Sequence, residues 1–194
     1  MEKYEQFNIR VIYNELKNHK VDEEIIEKIM EGGDKIKSKT PHKKKCEWCY
    51  EATNRMDELL DEDIKLSIRE NCACRLKTFS KECDKIRNSY SSVQERLEAV
   101  LKSPTLFGNI LKVRENGKLD VIFWNPKNDV FKCVCMKNQD KVWSKTWCQC
   151  CAGHIKLPLE KALGVKVKAK IISTALSSLG KENCHIELEI VNEE

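Results

Sequence analysis

Residues 146–154 read TWCQCCAGH, and residues 132–135 read KCVC. These two short stretches hold five of the chain's eleven cysteines, and their reading decides the fold of the second half. Upstream of KCVC runs a stretch of alternating apolar and polar residues, the period of a half-buried strand, and Val130 to Met136 and about Val142 to Cys148 are expected to continue it as two further strands. The spacing predicts a hairpin of two strands with its loop around Asn138 to Asp140. A period of 2 sends Cys133 and Cys135 to one side, and likewise Cys148 and Cys150, so four sulfurs would face one another across the two strands. Four thiolates within reach of one point are what a closed tetrahedral zinc site requires. The geometry demands help from a bulge or from converging rotamers. Residues i and i+2 of a flat strand lie roughly 6.6 Å apart, whereas sulfurs sharing a zinc lie nearer ~3.8 Å. Cysteines packing as small hydrophobes are the alternative.

Working outward, the strand through Cys148 is expected to run into a helix from Ala152 to Leu163, stopped by Gly164. A thiol at such a helix start, Cys150 or Cys151, would sit against unpaired amides and the positive end of the macrodipole, which favour a thiolate. His154, three residues beyond Cys151, would supply a base on the same surface. Cys150, Cys151 and His154 are therefore the candidate catalytic residues. Upstream, Ile110 to Arg114 and Leu119 to Trp124 are strand-like runs joined by Glu115-Asn116-Gly117-Lys118, a hairpin signal, and Asn125 to Asn128 makes the next turn. Downstream, Val165 to about Ala175 and Cys184 to Val191 are two further strands, joined through Gly180. In the last, Cys184, Ile186, Leu188 and Ile190 point one way, and His185 is expected to meet solvent with Glu187 and Glu189.

The first hundred residues carry the 3.6 period. Tyr4, Phe7, Val11, Ile12 and Leu16 mark one helix, and Ile25, Ile26, Ile29 and Met30 a second that Gly32-Gly33 ends. Trp48, Ala52, Met56 and Leu59 mark a third from near Lys44, and Ile64 and Ile68 a fourth capped by Asp61. One or two more span Thr78 to about Lys102, with Cys83 inward, before Ser103-Pro104 closes the section. The fold class is α+β: a helical N-terminal region, residues 1–104, followed by an antiparallel region, residues 105–194, in the order β-β-β-β-α-β-β, expected as one compact unit.

A second quartet lies in the helical region, Cys46-Glu47-Trp48-Cys49 with Cys72-Ala73-Cys74. A helical hairpin would bring the two pairs together as a zinc or iron–sulfur site, or they are core and helix-end residues. Hydrophobic residues at 41% and charged ones at 34% describe an ordered protein. The charged N-terminal stretch lacks the apolar core of a signal peptide, and no apolar run approaches the ~20 residues of a membrane span. The expectation is cytoplasmic, where cysteines serve as ligands, reactive thiols or core rather than disulfides. The net charge is +4, and the one lysine-rich run, Lys35 to Lys45, reads first as a solvated linker. Nucleic-acid binding ranks last, because that run lacks interleaved arginines and aromatics.

With these motifs in place, CVC, TWCQCCAGHIKLPLEKALG and VKVKAKIISTALSSLGKENCHIELEI resemble the C-terminal half of cysteine-containing domains related to 4-vinyl reductase and to the L-2-amino-thiazoline-4-carboxylic acid hydrolase family. Together with CEWCYEATNRMDELLDED and RENCACRL, the layout resembles a family of uncharacterised cysteine-rich prokaryotic proteins. Cys150, Gly153 and Cys184 match the pattern, while Cys151, the helical front and the Cys46 to Cys74 quartet depart from it. The resemblance implies an α+β module that holds a small-molecule ligand, in some members with a cysteine-bound metal. Its hydrolase branch implies opening of a small sulfur or nitrogen heterocycle by a thiol-dependent or metal-assisted route.

Overall fold

The computed structural model describes residues 3–73, 79–103, 110–123, 132–133, 135–137 and 139–191. Cys74, Val134, Trp124, the turn at 125–128 and the start of the predicted third strand lie outside them. The described elements run α1 (Phe7–Asn18), α2 (Glu23–Ile29), α3 (His42–Leu59), α4 (Glu62–Asn71), α5 (Ser80–Ser89), α6 (Val93–Leu101), β1 (Ile110–Val113), β2 (Leu119–Phe123), α7 (Lys145–Leu163), β3 (Lys166–Ser173) and β4 (Cys184–Val191). The α+β class holds, with the antiparallel region in the order β-β-α-β-β among the described residues. The strands form one antiparallel sheet in the order β1-β2-β4-β3. No helix among the described residues is long and apolar enough to cross a membrane.

The chain divides into two compact units, residues 1–72 and 73–194. The change of period at residue 104 is not that division, because α5 and α6 pack on α7 and belong with the sheet.

In the first unit, Ile9, Ile12 and Leu16 of α1, Ile26 and Ile29 of α2, and Trp48, Ala52 and Met56 of α3 are buried. Phe7, expected inward, is 59% exposed, since α1 begins at that residue and buries the stripe starting at Ile9. The Trp48 indole donates to the Glu31 carbonyl at 2.8 Å, satisfying a group that the end of α2 leaves without an intrahelical donor.

In the second unit α7 covers one face of the sheet. Ala152, Ile155, Leu159 and Ala162 of α7 join Leu119 and Val121 of β2, Val167 of β3 and Ile186 and Leu188 of β4, with Cys83, Ile86, Leu97 and Val100 of α5 and α6 in the same core. The register sets Leu119 opposite Leu188, Val121 opposite Ile186 and Phe123 opposite Cys184, so one period-2 row of each strand faces the helix. The predicted β1-β2 hairpin forms: the Arg114 amide donates to the Lys118 carbonyl at 2.8 Å, and Gly117 takes φ +79°, the left-handed turn conformation glycine adopts without a Cβ penalty. Gly164 ends α7 as expected, at φ +75°.

Two expected strands are corrected. The described residues of Val130–Met136 are not in a strand, and Val142–Cys148 is loop to Ser144 and helix from Lys145. The helix starts seven residues before the expected Ala152 because Ser144 caps it, its hydroxyl accepting from the Thr146 amide at 3.1 Å. The side chains 148, 152, 155, 159 and 162 form one helical stripe, and Trp147 to Leu163 bury against the core at that period. Burial of a long amphipathic face outweighs a short stretch of alternation.

The other face of the sheet carries an ion-pair network. Asp120 lies directly opposite Glu187, a like-charge pair that is unfavourable alone. Arg114 spans both, with 2.6 Å contacts to Asp120 and Glu187, and Lys118 reaches Glu187 at 2.9 Å. His185 does not stand free in solvent: its Nε2 lies 2.5 Å from Asp120. The hydrogen bond from Arg114 holds the Asp120 carboxyl below its ordinary range, with His185 adding to it. A carboxyl depressed in the folded state contributes stability above its unfolded pKa of about 3.9, and that contribution is lost as pH falls through the lower folded value. Urea midpoints measured from pH 6 to pH 2 are therefore expected to fall steeply below about pH 4, with a shallower acid limb in Arg114→Ala. Identical acid limbs in the two proteins would exclude this role for the network.

Candidate functional site

The helical reading of residues 145–163 rearranges the cysteines. Cys148 and Cys150 lie about 200° apart around the α7 axis, because each residue turns the helix by about 100°. They do not share a face as they would on a strand. Cys148 and Cys151, three residues apart, do. Cys148 is buried, and Cys150 and Cys151 are partly so.

Cys133 and Cys135 lie outside any helix or strand, and Cys133 comes near Cys148 of α7. The Cys133 sulfur accepts the Met136 amide at 3.4 Å and a hydrogen bond from the Cys135 thiol, which draws the Cys133 pKa below the ordinary cysteine value. The Met136 and Cys135 amides push the same way, while burial and the nearby Cys148 oppose them. The surroundings of Cys133 thus favour its ionised form, the form that acts as nucleophile or metal ligand, in contrast to those of Cys83, Cys151 and Cys184.

Cys151 is the opposite case. The hydrogen bond with Cys150 and the burial of the thiol push its pKa well up, and the neighbouring Cys150, Cys148 and Cys184 add to this. Cys184, at the inner edge of β4 opposite Phe123, is raised by burial; its sulfur accepts the Ala175 amide at 3.3 Å. A run of six thiols results: Cys133 and Cys135, then Cys148, then Cys151 with Cys150, and finally Cys184. Among the described residues no three His, Cys, Asp or Glu side chains close to the separations of metal ligands.

The expected catalytic trio is placed differently from the expectation. Cys150 and Cys151 occupy the sixth and seventh positions of α7, beyond the first turn in which the helix terminus acts on a thiol. His154 lies in mid-helix with its ring edge-on to Phe79 at 5.7 Å between centroids. Pro158, one turn on, has no N–H to give the His154 carbonyl.

In the first unit, Cys46 and Cys49 are buried on α3 and Cys72 is half-buried at the end of α4, with Cys74 outside the described residues. His42 Nε2 lies 3.3 Å from the Cys46 sulfur; the i, i+4 spacing of the two on α3 is the sequence signal that would have singled out His42. The lysine run is partly structured: its last four residues form the first turn of α3, and the Lys45 ammonium donates to the Ser38 carbonyl at 2.7 Å.

A family model described as a family of unknown function, DUF6144, matches residues 1–193, nearly the whole chain and both units. The chain belongs to DUF6144. No curated protein matches it. Membership in DUF6144 therefore accords with a layout in which both cysteine-bearing units belong to one protein, and it carries no activity with it.

Proposed function

We propose that this DUF6144 member is a cytosolic metal-binding protein, with zinc as the ion, whose centre is the thiol run at the start of α7. The observation that carries the reading is Cys133: a sulfur that accepts a backbone amide and a neighbouring thiol's hydrogen bond is set up as a thiolate beside a second thiol, Cys148, from another element. Amide donation to sulfur is a recurrent way for proteins to stabilise metal-bound thiolates. The soft, uncharged-to-anionic donor set fits zinc. Cys133, Cys135 and Cys148 are the ligands, and Cys151 on the Cys148 face replaces Cys150 as the fourth. An ion would displace the Cys151 proton and draw the loop and helix thiols together, since ligand binding requires deprotonated sulfur. Cys46, Cys49 and Cys72, with His42 beside Cys46, form the second proposed centre.

Native mass spectrometry of protein purified in reductant without chelator is expected to count bound zinc. Cys148→Ser should remove the ion of the second unit, and Cys49→Ser that of the first. A metal-free wild type that also takes up none on titration would end the reading.

A second reading, a thiol-dependent or metal-assisted hydrolase of a small sulfur or nitrogen heterocycle, is favoured by one observation. Cys133 lines a pocket of about 490 Å³. It expects one fast-alkylating cysteine, and that cysteine is Cys133 rather than Cys150 or Cys151, whose surroundings disfavour the thiolate at Cys151. Timed iodoacetamide labelling with peptide mapping should modify Cys133 faster than Cys151, because the surroundings favour the thiolate at the first and disfavour it at the second. Uniformly slow labelling would remove this alternative.

A further inference from the structure

The pocket that Cys133 lines is built from two loops of the second unit, residues 132–141 and 175–180. Its volume of about 490 Å³ lies within the range of small-molecule sites. Two features of its wall point to one ligand chemistry. The first is charge: Lys132, Lys137 and Lys141 line it, and none of its described lining residues is acidic. In a chain whose charges of both signs are interspersed, a described wall that holds lysines and no acidic residue favours an anion. Lysine supplies point charge rather than the fork of arginine, so the selection is for charge at the mouth rather than for a planar bidentate group.

The second feature is the apolar side, made by Met136, Leu176 and Leu179. Leu179 holds φ +53°, the left-handed conformation that a Cβ disfavours and that glycine or asparagine usually supplies at such a turn end. The turn that imposes it is pinned by the Gly180 amide donating to the Ala175 carbonyl at 2.7 Å. The strained residue presents a leucine that is 47% exposed. A strained backbone that holds an exposed apolar side chain in a pocket wall is the arrangement of a ligand clamp. Met136, on the facing loop, is an adaptable apolar partner.

We propose that this pocket binds a small organic monoanion with an apolar body, a medium-chain or aromatic carboxylate, its charge at the lysines and its body between Met136, Leu176 and Leu179. The site goes beyond the zinc reading: it shares Cys133 of its wall with the proposed zinc centre, while the anion and its apolar body are held by other residues. Octanoate is the probe and octanamide its neutral counterpart. In amide-resolved NMR titrations octanoate is expected to shift the signals of residues 132–141 and 175–180, and octanamide to bind roughly tenfold more weakly, the loss of about one charge-assisted contact. Lys132→Gln with Lys137→Gln should lower octanoate affinity to the octanamide level and leave octanamide unchanged. Leu179→Gly relieves the left-handed leucine, so it should raise the melting temperature while weakening both probes several-fold. That combination separates loss of the site from loss of the fold. Cys148→Ser, which tests zinc, should leave octanoate binding intact. No saturable octanoate binding at millimolar concentration, equal affinity for the two probes, or signals shifting elsewhere would each overturn the proposal.

Discussion

Zinc added to the reduced, chelator-free protein is expected to raise the melting temperature of the second unit by about 10 °C, and a chelator to return it. The magnitude follows from linkage. Free ion at about a thousand times its dissociation constant stabilises the folded state by about 4 kcal/mol, which in a domain of this size corresponds to several degrees per kcal/mol. The effect should be specific to the second unit when it is read through Trp143 and Trp147, whose rings stack edge-on at 5.4 Å at the start of α7. Cys148→Ser is expected to abolish the shift. Cys150→Ser should preserve most of it, because the helix turns Cys150 away from the face of Cys148. A hairpin arrangement would have made the two substitutions equivalent. The shift should also weaken as pH falls, since protons compete with the ion for sulfur and Cys151 begins as a strongly held thiol. Equal effects of the two serine variants would remove the helical ligand set.

The largest stability loss without metal is expected from Leu159→Ala. Leu159 is completely buried between the sheet residues Ile186 and Leu188 and the helices α5 and α6. Truncation of a leucine so enclosed costs its transfer free energy plus the cavity it leaves, about 3 kcal/mol. That is a large part of the 5–15 kcal/mol typical of a domain. Position 159 follows Pro158, where the helix already lacks one backbone hydrogen bond, so side-chain packing carries this turn. Chemical denaturation should show a lower midpoint with an unchanged slope. A loss below about 1 kcal/mol would mean that the helix does not depend on packing at this turn.

Much of the architecture was legible residue by residue. The alternation in CHIELEIV marks β4 with its observed bounds, and Asn116-Gly117 marks the β1-β2 hairpin, because in both cases the local pattern and the buried face agree. The misreading lay where two periods overlap. Read with a period of 2, Cys148 and Cys150 share a side, yet Cys148, Ala152, Ile155 and Leu159 also fall on one helical stripe, and Ser144 stands at a capping position. Only a partner surface chooses between such periods. The site inherits that ambiguity: cysteine spacing pointed to the right segments, but which sulfurs share a face depends on whether the backbone turns by about 180° or about 100° per residue.

The amino-acid sequence by itself determined the α+β class, the helical front, the turn glycines and the concentration of thiols around residues 133–151, since each follows from short-range chemistry. Tertiary structure alone decided that Cys148 rather than Cys150 faces Cys133, that His185 is bound by Asp120, and that three lysines and a strained leucine surround one pocket. Those are contacts between residues far apart in the chain, and no local pattern encodes which distant neighbour burial and charge will bring to a given side chain.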